Sequence, residues 1–402
     1  MRFREISVYS GLAYLNQVAS VLVNFLFIRT LSLTTLGDIA IAKVWMQVMD
    51  YSHLGLRFSL DRYVPVWDRH RSAHLLWICI GVSSVVSALI IGLALLFTDN
   101  KLLILVFCLW GYGVAIATIL KNFYRASADS ARMLTTYFAC PTIPAVAQAT
   151  AFYLWGFTAF LIVTAVTSLA TTVYVLIKAK SLLAEIRHQL HETLLAVRSA
   201  TITLFINAAV VFLTFSVDRI ILNAYSSKEV LGEYSIVLFA FSLLLIIPST
   251  LAEFIFPKVV RQTIHSGKTF YPREILVILI PTCGIIVLAY FLAPYLIATL
   301  TDYERLTSNI QLAMLGIIPY AVTPILFHVM SALDMRIWLV LSASTALCGY
   351  TLTLVWGGMY ATNKLEFFTI ARALYGYALA FGYLTCLTLH KKRQGIASTG
   401  EV

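Results

Sequence analysis

Segments of about 20 or more apolar residues recur twelve times along the chain, and this repetition limits what the chain can fold into. A helix that crosses the hydrocarbon core of a bilayer, about 30 Å thick, needs about 20 apolar residues. Of the 402 residues, 60% are hydrophobic and 12% are charged, whereas about a quarter of the residues of a soluble protein are charged. The sequence therefore predicts an all-α polytopic membrane protein. Its predicted spans are residues 7–29, 36–56, 74–98, 101–124, 131–155, 157–178, 200–223, 230–256, 273–298, 308–332, 335–357 and 366–389.

The lysines and arginines indicate how the predicted spans are oriented. Cytoplasmic loops of membrane proteins are enriched in basic residues, and an even number of spans puts both termini on one side. With the termini inside, 21 of the 29 basic residues lie on the cytoplasmic side and five lie outside, while Lys43, Arg219 and Arg372 fall within spans. We therefore expect cytoplasmic N and C termini. This orientation accounts for most of the net charge of +10, so no nucleic-acid partner is expected.

Sequence motifs for cleavage, disulfides and metals are absent. The N-terminal segment starts with basic residues like a signal peptide, but Asn16 and Gln17 interrupt its apolar run and no small-residue cleavage site follows. We expect it to be an uncleaved first span. The six cysteines occur singly, with no Cys-x-x-Cys motif and no pairing with histidine, so neither a disulfide framework nor a metal site is predicted.

The lengths of the connections argue against an enzyme. The longest predicted outer connection has about ten residues, which is too short for the active site of an outer-face polymerase or ligase. No segment is long enough for a soluble nucleotide-binding domain of a glycosyltransferase, and there is no G-x-x-x-x-G-K-[ST] motif for ATP. We therefore expect a protein that is not an enzyme and has no cofactor.

The two halves of the chain repeat a pattern. The motif Leu36-Gly37-Asp38 opens the second predicted span, and Leu231-Gly232-Glu233 opens the eighth, at an offset of 195 residues. Each motif follows a span that ends in arginine and a short polar turn, and Pro65 and Pro257 follow at an offset of 192. Equal offsets with the same predicted topology indicate two parallel six-helix lobes around a central cavity, a plan found in transporters.

The segment between the halves differs from both. Its apolar residues recur at helical spacing among glutamates and histidines, which predicts an interfacial amphipathic helix that tethers the lobes. The predicted organisation is an N-terminal lobe at 1–178, a cytoplasmic linker at 179–199, a C-terminal lobe at 200–390 and a cytoplasmic tail at 391–402.

The chain resembles the multidrug/oligosaccharidyl-lipid/polysaccharide (MOP) exporter superfamily. The resemblance rests on the twelve spans, the Asp-Arg-Ile-Ile-Leu sequence that ends the seventh, the Leu-Gly-Glu-Tyr-Ser sequence that opens the eighth, and their counterpart in the first half. Its short loops and length are similar to those of Wzx-type polysaccharide flippases. The resemblance implies a flippase that moves undecaprenyl-pyrophosphate-linked oligosaccharide, such as an O-antigen unit for lipopolysaccharide biosynthesis, from the inner to the outer leaflet of the bacterial inner membrane. It also implies membrane lipids, the polysaccharide polymerase and the chain-length machinery as partners.

Such a substrate carries a diphosphate and many hydroxyl groups, so its path needs cations and hydrogen-bonding groups. Charged residues inside spans cost about 2.5 to 3.5 kcal/mol on insertion scales and usually face a cavity or a partner. In the second span Lys43, Gln47 and Asp50 share one helical face, with His53 one turn further. We expect this face to line the cavity; the alternative is an ion pair with a structural role.

Cations are predicted to gather in the outer half of the membrane. At about 1.5 Å per residue, Lys43 and Arg372 each lie about 9 Å from the outer end of their span, and Arg29 and Arg219 close theirs. Tyr375 continues the face of Arg372 and offers a flat ring with a hydroxyl group. We expect these residues to bind the headgroup; the alternative for Arg29 is an interfacial anchor.

Five further residues are candidates for ion coupling or gating. Asp218 lies near the predicted outer end of its helix, beside Arg219. Because adjacent residues on a helix point about 100° apart, these two side chains should have different partners. We expect Asp218 to bind a neighbouring helix end and Arg219 to face the outer vestibule. Pro324 and His328 share a face where proline should bend the helix. A hydrogen-bonded core histidine is the alternative for His328. The candidates for coupling or gating are His53, Asp218, Glu253, Pro324 and His328.

The predicted mechanism is alternating access between two lobes, and its energy source stays open between a proton or sodium gradient and consumption of the product outside. The alternative functions are a peptidoglycan-precursor flippase, a drug/cation antiporter of the same superfamily and, from a different class, a membrane glycosyltransferase or polymerase.

Overall fold

The computed structural model of the chain consists almost entirely of helices. It describes residues 3–65, 67–182, 190–266, 268–300, 303–333 and 335–399. The α-helices are α1 (Phe3–Thr30), α2 (Leu33–Met49), α3 (Leu56–Tyr63), α4 (Arg69–Phe97), α5 (Lys101–Ala126), α6 (Ser130–Tyr137), α7 (Ile143–Lys180), α8 (Leu190–Tyr225), α9 (Lys228–Ser266), α10 (Pro272–Leu300), α11 (Thr307–Leu315), α12 (Ile317–Ala332), α13 (Arg336–Tyr360) and α14 (Lys364–Thr399). A π-helical segment joins α6 to α7 at Phe138–Thr142, and a short 3-10 turn precedes α11 at Glu304–Leu306.

Eight helical segments in the described part of the chain are long and apolar enough to cross a membrane. One of them, Arg69–Phe97, has only 28% of its most apolar window buried inside the protein. An apolar helix whose side chains stay uncovered is stable only in contact with lipid. The chain is therefore a multi-pass membrane protein.

The prediction of one continuous helix over residues 36–56, the second predicted span, is wrong. Helix α2 ends at Met49, and six residues of turn separate it from α3. Leu54 and Gly55 in this turn have positive φ angles of 48° and 85°, which no α-helix can contain. Asp50 and His53 therefore belong to the turn and do not extend the helical face of Lys43 and Gln47.

A glycine divides α7 into two helical arms. Gly156 has φ 79° and ψ −167°, a conformation outside the helical region, and it separates residues 143–155 from residues 157–180. The 51-residue segment Ser130–Lys180 would measure about 76 Å as one straight helix, far more than a bilayer core. The break at Gly156 lies between the two predicted spans, 131–155 and 157–178.

We expect Gly156→Ala to destabilise the protein by about 1 to 3 kcal/mol, because this backbone conformation is essentially restricted to glycine. Thermal unfolding of the purified protein would measure the loss. Gly81→Ala, in α4, is the matched control, since the added methyl group meets no atom within 4 Å at a helical position. Equal stability of the two variants would contradict the expectation.

Two compact units make up the chain. The first contains residues Met1–Leu31 and Asp38–Phe212, and the second contains Ser32–Gly37 and Leu213–Val402. The core of the first unit lies where α3, α4 and α5 pack, with Leu60, Leu75, Leu76, Ile116 and Ile119 fully buried. The core of the second contains large aromatic side chains, among them Tyr234 and Phe368, whose ring centroids are 6.2 Å apart.

Helices α7 and α8 both extend into the range of the predicted linker, 179–199. Helix α7 continues to Lys180, and residues 183–189 lie outside the described part. Helix α8 begins at Leu190 and continues without a break through the predicted seventh span. The predicted tail at 391–402 is helical as far as Thr399, the end of α14. The lobe boundaries themselves stay a prediction.

Within the second unit, two glycines allow two helix starts to touch. A Cβ atom on Gly37 would lie 2.2 Å from the carbonyl oxygen of Lys228, and a Cβ atom on Gly232 would lie 2.1 Å from that of Leu33. Leu33 and Lys228 are the first residues of α2 and α9, so each helix start meets the glycine one turn into the other. Both pairs are related by the offset of 195 residues seen in the sequence. The repeated Leu-Gly-acidic motif thus reflects a reciprocal backbone contact that only glycine permits.

Candidate functional site

A buried carboxylate forms the centre of the candidate site in the second unit. Asp218 on α8 is completely buried, and its Oδ2 atom accepts hydrogen bonds from the Tyr234 hydroxyl of α9 at 2.7 Å and the Tyr350 hydroxyl of α13 at 3.4 Å. The same oxygen accepts a bond from Nη1 of Arg372 on α14. The other oxygen, Oδ1, accepts from the backbone N–H of Arg219 at 2.8 Å. One side chain therefore connects four helices.

The guanidinium of Arg372 lies among aromatic rings. Its central carbon is 5.5 Å from the ring centroid of Phe215 and 5.4 Å from that of Phe241, within the range of a cation–π interaction. Its side chain is 7% exposed. A buried charge is tolerated only when it is paired, and here Asp218 supplies the pair.

Tyrosines surround this ion pair. The hydroxyls of Tyr375 and Thr214 lie 2.8 Å apart, and the ring of Tyr375 stacks on that of Tyr350 at 4.7 Å between centroids. Tyr320 is buried, and its ring meets Phe241 edge to face at 5.4 Å. Its hydroxyl has no hydrogen-bond partner among the described residues. The predicted site residues Asp218, Arg372 and Tyr375 thus belong to one cluster.

The position of the ion pair differs from the expectation for Asp218. Its partner was predicted to be a neighbouring helix end, whereas the structure pairs it with a side chain eight residues into α14. Helix α8 continues seven residues past Asp218, to Tyr225. The pair therefore lies about 10 to 12 Å inside the ends of its helices, which explains why it is so completely buried.

Arg219 binds the backbone of its own helix, and its predicted position in an outer vestibule stays a prediction. Its Nη2 atom donates to the carbonyl oxygen of Phe215 at 2.6 Å, one turn back on α8. The side chain is half-buried, and its Nε atom has no hydrogen-bond partner among the described residues. The partner of this bond is a neutral carbonyl group, and the nearest described carboxylate, that of Asp218, is already paired with Arg372.

In the first unit, Lys43 is held by α1. Its Nζ atom donates to Oδ1 of Asn24 and lies 5.5 Å from the ring centroid of Phe27. Gln47, one turn further along α2, is half-buried like Lys43. The amide oxygen and the aromatic face are both groups that attract an ammonium group within an apolar helix pair.

A second polar group occupies the turn after α2. Asp50 pairs with Arg57 of α3 at 2.5 Å, and the arginine side chain is 11% exposed. His53 is fully buried, and its Nδ1 atom accepts the backbone N–H of Gly55 at 2.9 Å. The carboxylate of Asp50 and the ring of His53 therefore stabilise the break between α2 and α3.

The remaining predicted residues belong to α1, α9 and α12. Arg29 is exposed, one residue before the end of α1. Pro324 and His328 are both half-buried on α12. Glu253 belongs to α9, and its side chain lies outside the described part.

The sequence interpretation missed four partners: Asn24, Arg57, Tyr234 and Tyr350. Tyr234 belongs to the Leu-Gly-Glu-Tyr-Ser motif, and a hydrogen-bonding residue at that point of an apolar span was a usable signal. Tyr350 had no such signal among 21 tyrosines, because its partner is 132 residues away in the chain.

Comparisons with known proteins give structural but not sequence relatives. No family model and no curated protein sequence matches the chain. A lipid II flippase MurJ in an inward closed conformation matches with a TM-score of 0.70 and 14% identity, over 94% of this chain and 87% of that one. An inward-facing multidrug resistance MATE family transporter of the MOP superfamily matches with a TM-score of 0.65 and 9% identity, over 93% and 99%. The eukaryotic MATE transporter AtDTX14 matches with a TM-score of 0.58 and 14% identity, over 96% of both chains. The chain therefore has the same fold as these flippase and transporter structures.

Proposed function

We propose that this protein is a flippase that moves undecaprenyl-pyrophosphate-linked oligosaccharide, such as an O-antigen repeat unit, from the inner to the outer leaflet of the bacterial inner membrane. The proposal includes twelve spans in two six-helix lobes, cytoplasmic termini and alternating access. The observation that carries it is the fold, which extends over nearly the whole chain and is shared with a lipid II flippase. A lipid II flippase and a MATE family transporter share this fold, which supports transport over catalysis.

The charges inside the helices favour an anionic substrate over a cationic drug. Lys43, Arg219 and Arg372 place three cations in apolar helices against the carboxylate of Asp218, which pairs with Arg372, and the Arg219 guanidinium donates to a neutral carbonyl. The buried carboxylate of Asp218 already binds Arg372, so a cationic drug could use it only by breaking that pair. Arg29, Gln47 and Tyr375 complete the proposed headgroup contacts.

The two ion pairs offer a route for proton coupling. Protonation of Asp218 would remove the charge that holds Arg372, and protonation of Asp50 would do the same for Arg57. A released arginine could then bind a diphosphate. In an apolar environment the guanidinium and the diphosphate each need a hydrogen-bonded group of opposite charge. In the same proposal, Glu253 and His53 contribute to coupling, and Pro324 and His328 act in gating.

Deletion of the gene tests the function directly. We expect single lipid-linked repeat units to accumulate on the cytoplasmic face, measured with a leaflet-resolved assay of lipid-linked glycan, and the wild-type gene to restore outer-leaflet delivery. Normal delivery in the deletion strain would refute the proposal. Glycan-chain elongation by the purified protein would indicate a polymerase instead, and drug resistance conferred by expression would indicate an antiporter.

The peptidoglycan-precursor flippase is the second candidate, because a lipid II flippase shares this fold with a TM-score of 0.70. Rescue of cells depleted of their lipid II flippase separates the two candidates. We expect no rescue, and growth of the depleted cells would favour lipid II as substrate.

A further inference from the structure

A polar cleft opens at one end of the second unit, where three helix connections meet. Its volume is about 950 Å³, at the upper end of the range of about 300 to 1,000 Å³ for small-molecule sites. The connections are those from α8 to α9, from α10 to α11 and from α13 to α14. By the charge bias of the sequence, this end is the predicted outer face. We call it the outer cleft, and the residues used below are Tyr225, Glu233, Arg305, Asn309, Asn363 and Lys364.

Asn309 gives the outer cleft an unused hydrogen-bond acceptor. It is the third residue of α11 and only 8% exposed. Its Oδ1 atom accepts no hydrogen bond from the residues that the structure describes. A buried acceptor without a partner costs about 1 to 3 kcal/mol. A ligand that brings a donor to this oxygen would recover that energy.

The charges around the outer cleft limit the ligand to one with little charge of its own. Arg305 is paired with Glu233, and Lys364 donates to the carbonyl oxygen of Tyr225. Two cations and one carboxylate disfavour a cationic ligand, while the acceptor on Asn309 disfavours a bare anion. A neutral donor therefore suits Asn309, and a hydroxyl group is such a donor; the excess positive charge tolerates one carboxylate on the same ligand.

The ring of Tyr225 adds an apolar surface to these polar groups. One side of it packs on Gly358 of α13, where an added Cβ atom would lie 2.9 Å from ring atom Cδ2, and the residue remains 38% exposed. A fixed aromatic ring beside hydrogen-bonding groups suits the apolar face of a sugar ring. Asn363 is already used locally, since its Oδ1 accepts the N–H of Glu366 and its Nδ2 donates to that side chain.

From these contacts we propose that the outer cleft binds a hydroxyl-rich oligosaccharide, neutral or with one carboxylate per repeat. This inference rests on the proposed function: the ligand is the glycan portion of the lipid-linked substrate, which the outer cleft holds on the outer face after transfer. The diphosphate and the lipid are not required for binding there, so the soluble glycan alone should bind.

Binding of a lipid-free glycan to the full-length protein in nanodiscs tests the outer cleft. The probe is the oligosaccharide released by mild acid from the organism's own lipid-linked repeat units, and titration calorimetry measures the affinity. We expect Asn309→Leu and Tyr225→Ala each to weaken binding about tenfold, because each removes one of the main contacts. Tyr225→Phe should stay within about threefold of wild type, since it keeps the ring.

Lysine variants supply a matched control. Lys364 and Lys101 each begin a helix directly after an asparagine that caps it, and both lie on the predicted outer face. Only Lys364 lines the outer cleft, so Lys364→Gln should weaken binding of a carboxylate-bearing glycan and Lys101→Gln should not. Because the substitution removes an unsatisfied buried group, the Asn309→Leu variant should have an unfolding temperature equal to or higher than that of wild type.

The outcomes separate the outer cleft from the transport function. Absence of glycan binding by wild type, unchanged binding by Asn309→Leu and Tyr225→Ala, or binding of inorganic pyrophosphate in place of the glycan would overturn the outer cleft proposal. If leaflet-resolved delivery depends on the protein but not on these residues, only the cleft proposal fails. If the glycan binds through these residues but deletion leaves delivery normal, only the flippase proposal fails.

Discussion

Asp218→Asn is expected to destabilise the protein by about 3 to 5 kcal/mol and to abolish export. Asparagine keeps an acceptor for the Tyr234 hydroxyl but removes the charge that pairs with Arg372. The guanidinium would then remain charged and unpaired among Phe215 and Phe241, at 7% exposure. Breaking a buried pair on one side carries a cost of this size because the remaining ion has no water and no counter-charge. Thermal unfolding in detergent and the leaflet-resolved assay measure the two effects.

A second variant separates stability from transport. Arg372→Met alone should destabilise the protein by a similar amount, but the double variant Asp218→Asn/Arg372→Met should recover most of the loss, since no buried charge remains. We expect the double variant to fold and still fail to export. Arg132→Gln is the control, because its pair with Asp129 is exposed, and such pairs contribute about 0 to 1 kcal/mol. Full export by the double variant would show that the ion pair has a structural role only.

Gly232→Ala is expected to reduce export to the level of the deletion strain. The added methyl group would lie 2.1 Å from the carbonyl oxygen of Leu33, so the starts of α2 and α9 would have to separate by about 1 Å. The obstacle is backbone at a helix start, which cannot turn aside as a side chain can. Overpacking of this kind costs about 1 to 3 kcal/mol. Export and thermal unfolding are the measurements.

The reciprocal contact predicts how a second glycine variant behaves. Gly37→Ala should have the same effect, because its Cβ atom would lie 2.2 Å from the carbonyl oxygen of Lys228. Both variants separate the same two helix starts, so the double variant should cost less than the sum of the two. Gly284→Ala, where nothing lies within 4 Å, is the control and should stabilise α10 by about 0.5 to 1 kcal/mol. Normal export by both Gly37→Ala and Gly232→Ala would show that the contact is not needed for transport.

The helices could be located from the sequence because a membrane span is a local property. Helix α5 was predicted at 101–124 and occupies Lys101–Ala126, and α13 was predicted at 335–357 and occupies Arg336–Tyr360. The prediction failed at α2, where polar residues 50–53 were taken as a helical continuation. The turn there depends on Arg57 binding Asp50 and on positive φ angles at Leu54 and Gly55, none of which hydrophobicity reports.

The candidate residues could be selected from the sequence, but their partners could not. Asp218 and Arg372 were singled out because charge inside an apolar span is costly, whatever it contacts. Their pairing depends on how α8 and α14 pack, across 154 residues of chain. The same holds for the outer cleft, whose lining comes from three connections that are distant in sequence.

By itself, the sequence determined that the chain crosses a membrane, where helices such as α5 and α13 lie and which charged residues fall within apolar segments, because each of these follows from residues within one segment. Only the tertiary structure decided that Asp218 neutralises Arg372, that Gly37 and Gly232 allow two helix starts to touch, and that Asn309 presents an unused acceptor to a polar cleft. These contacts join different helices, and their geometry is set by packing between segments that the local pattern of apolar residues does not specify.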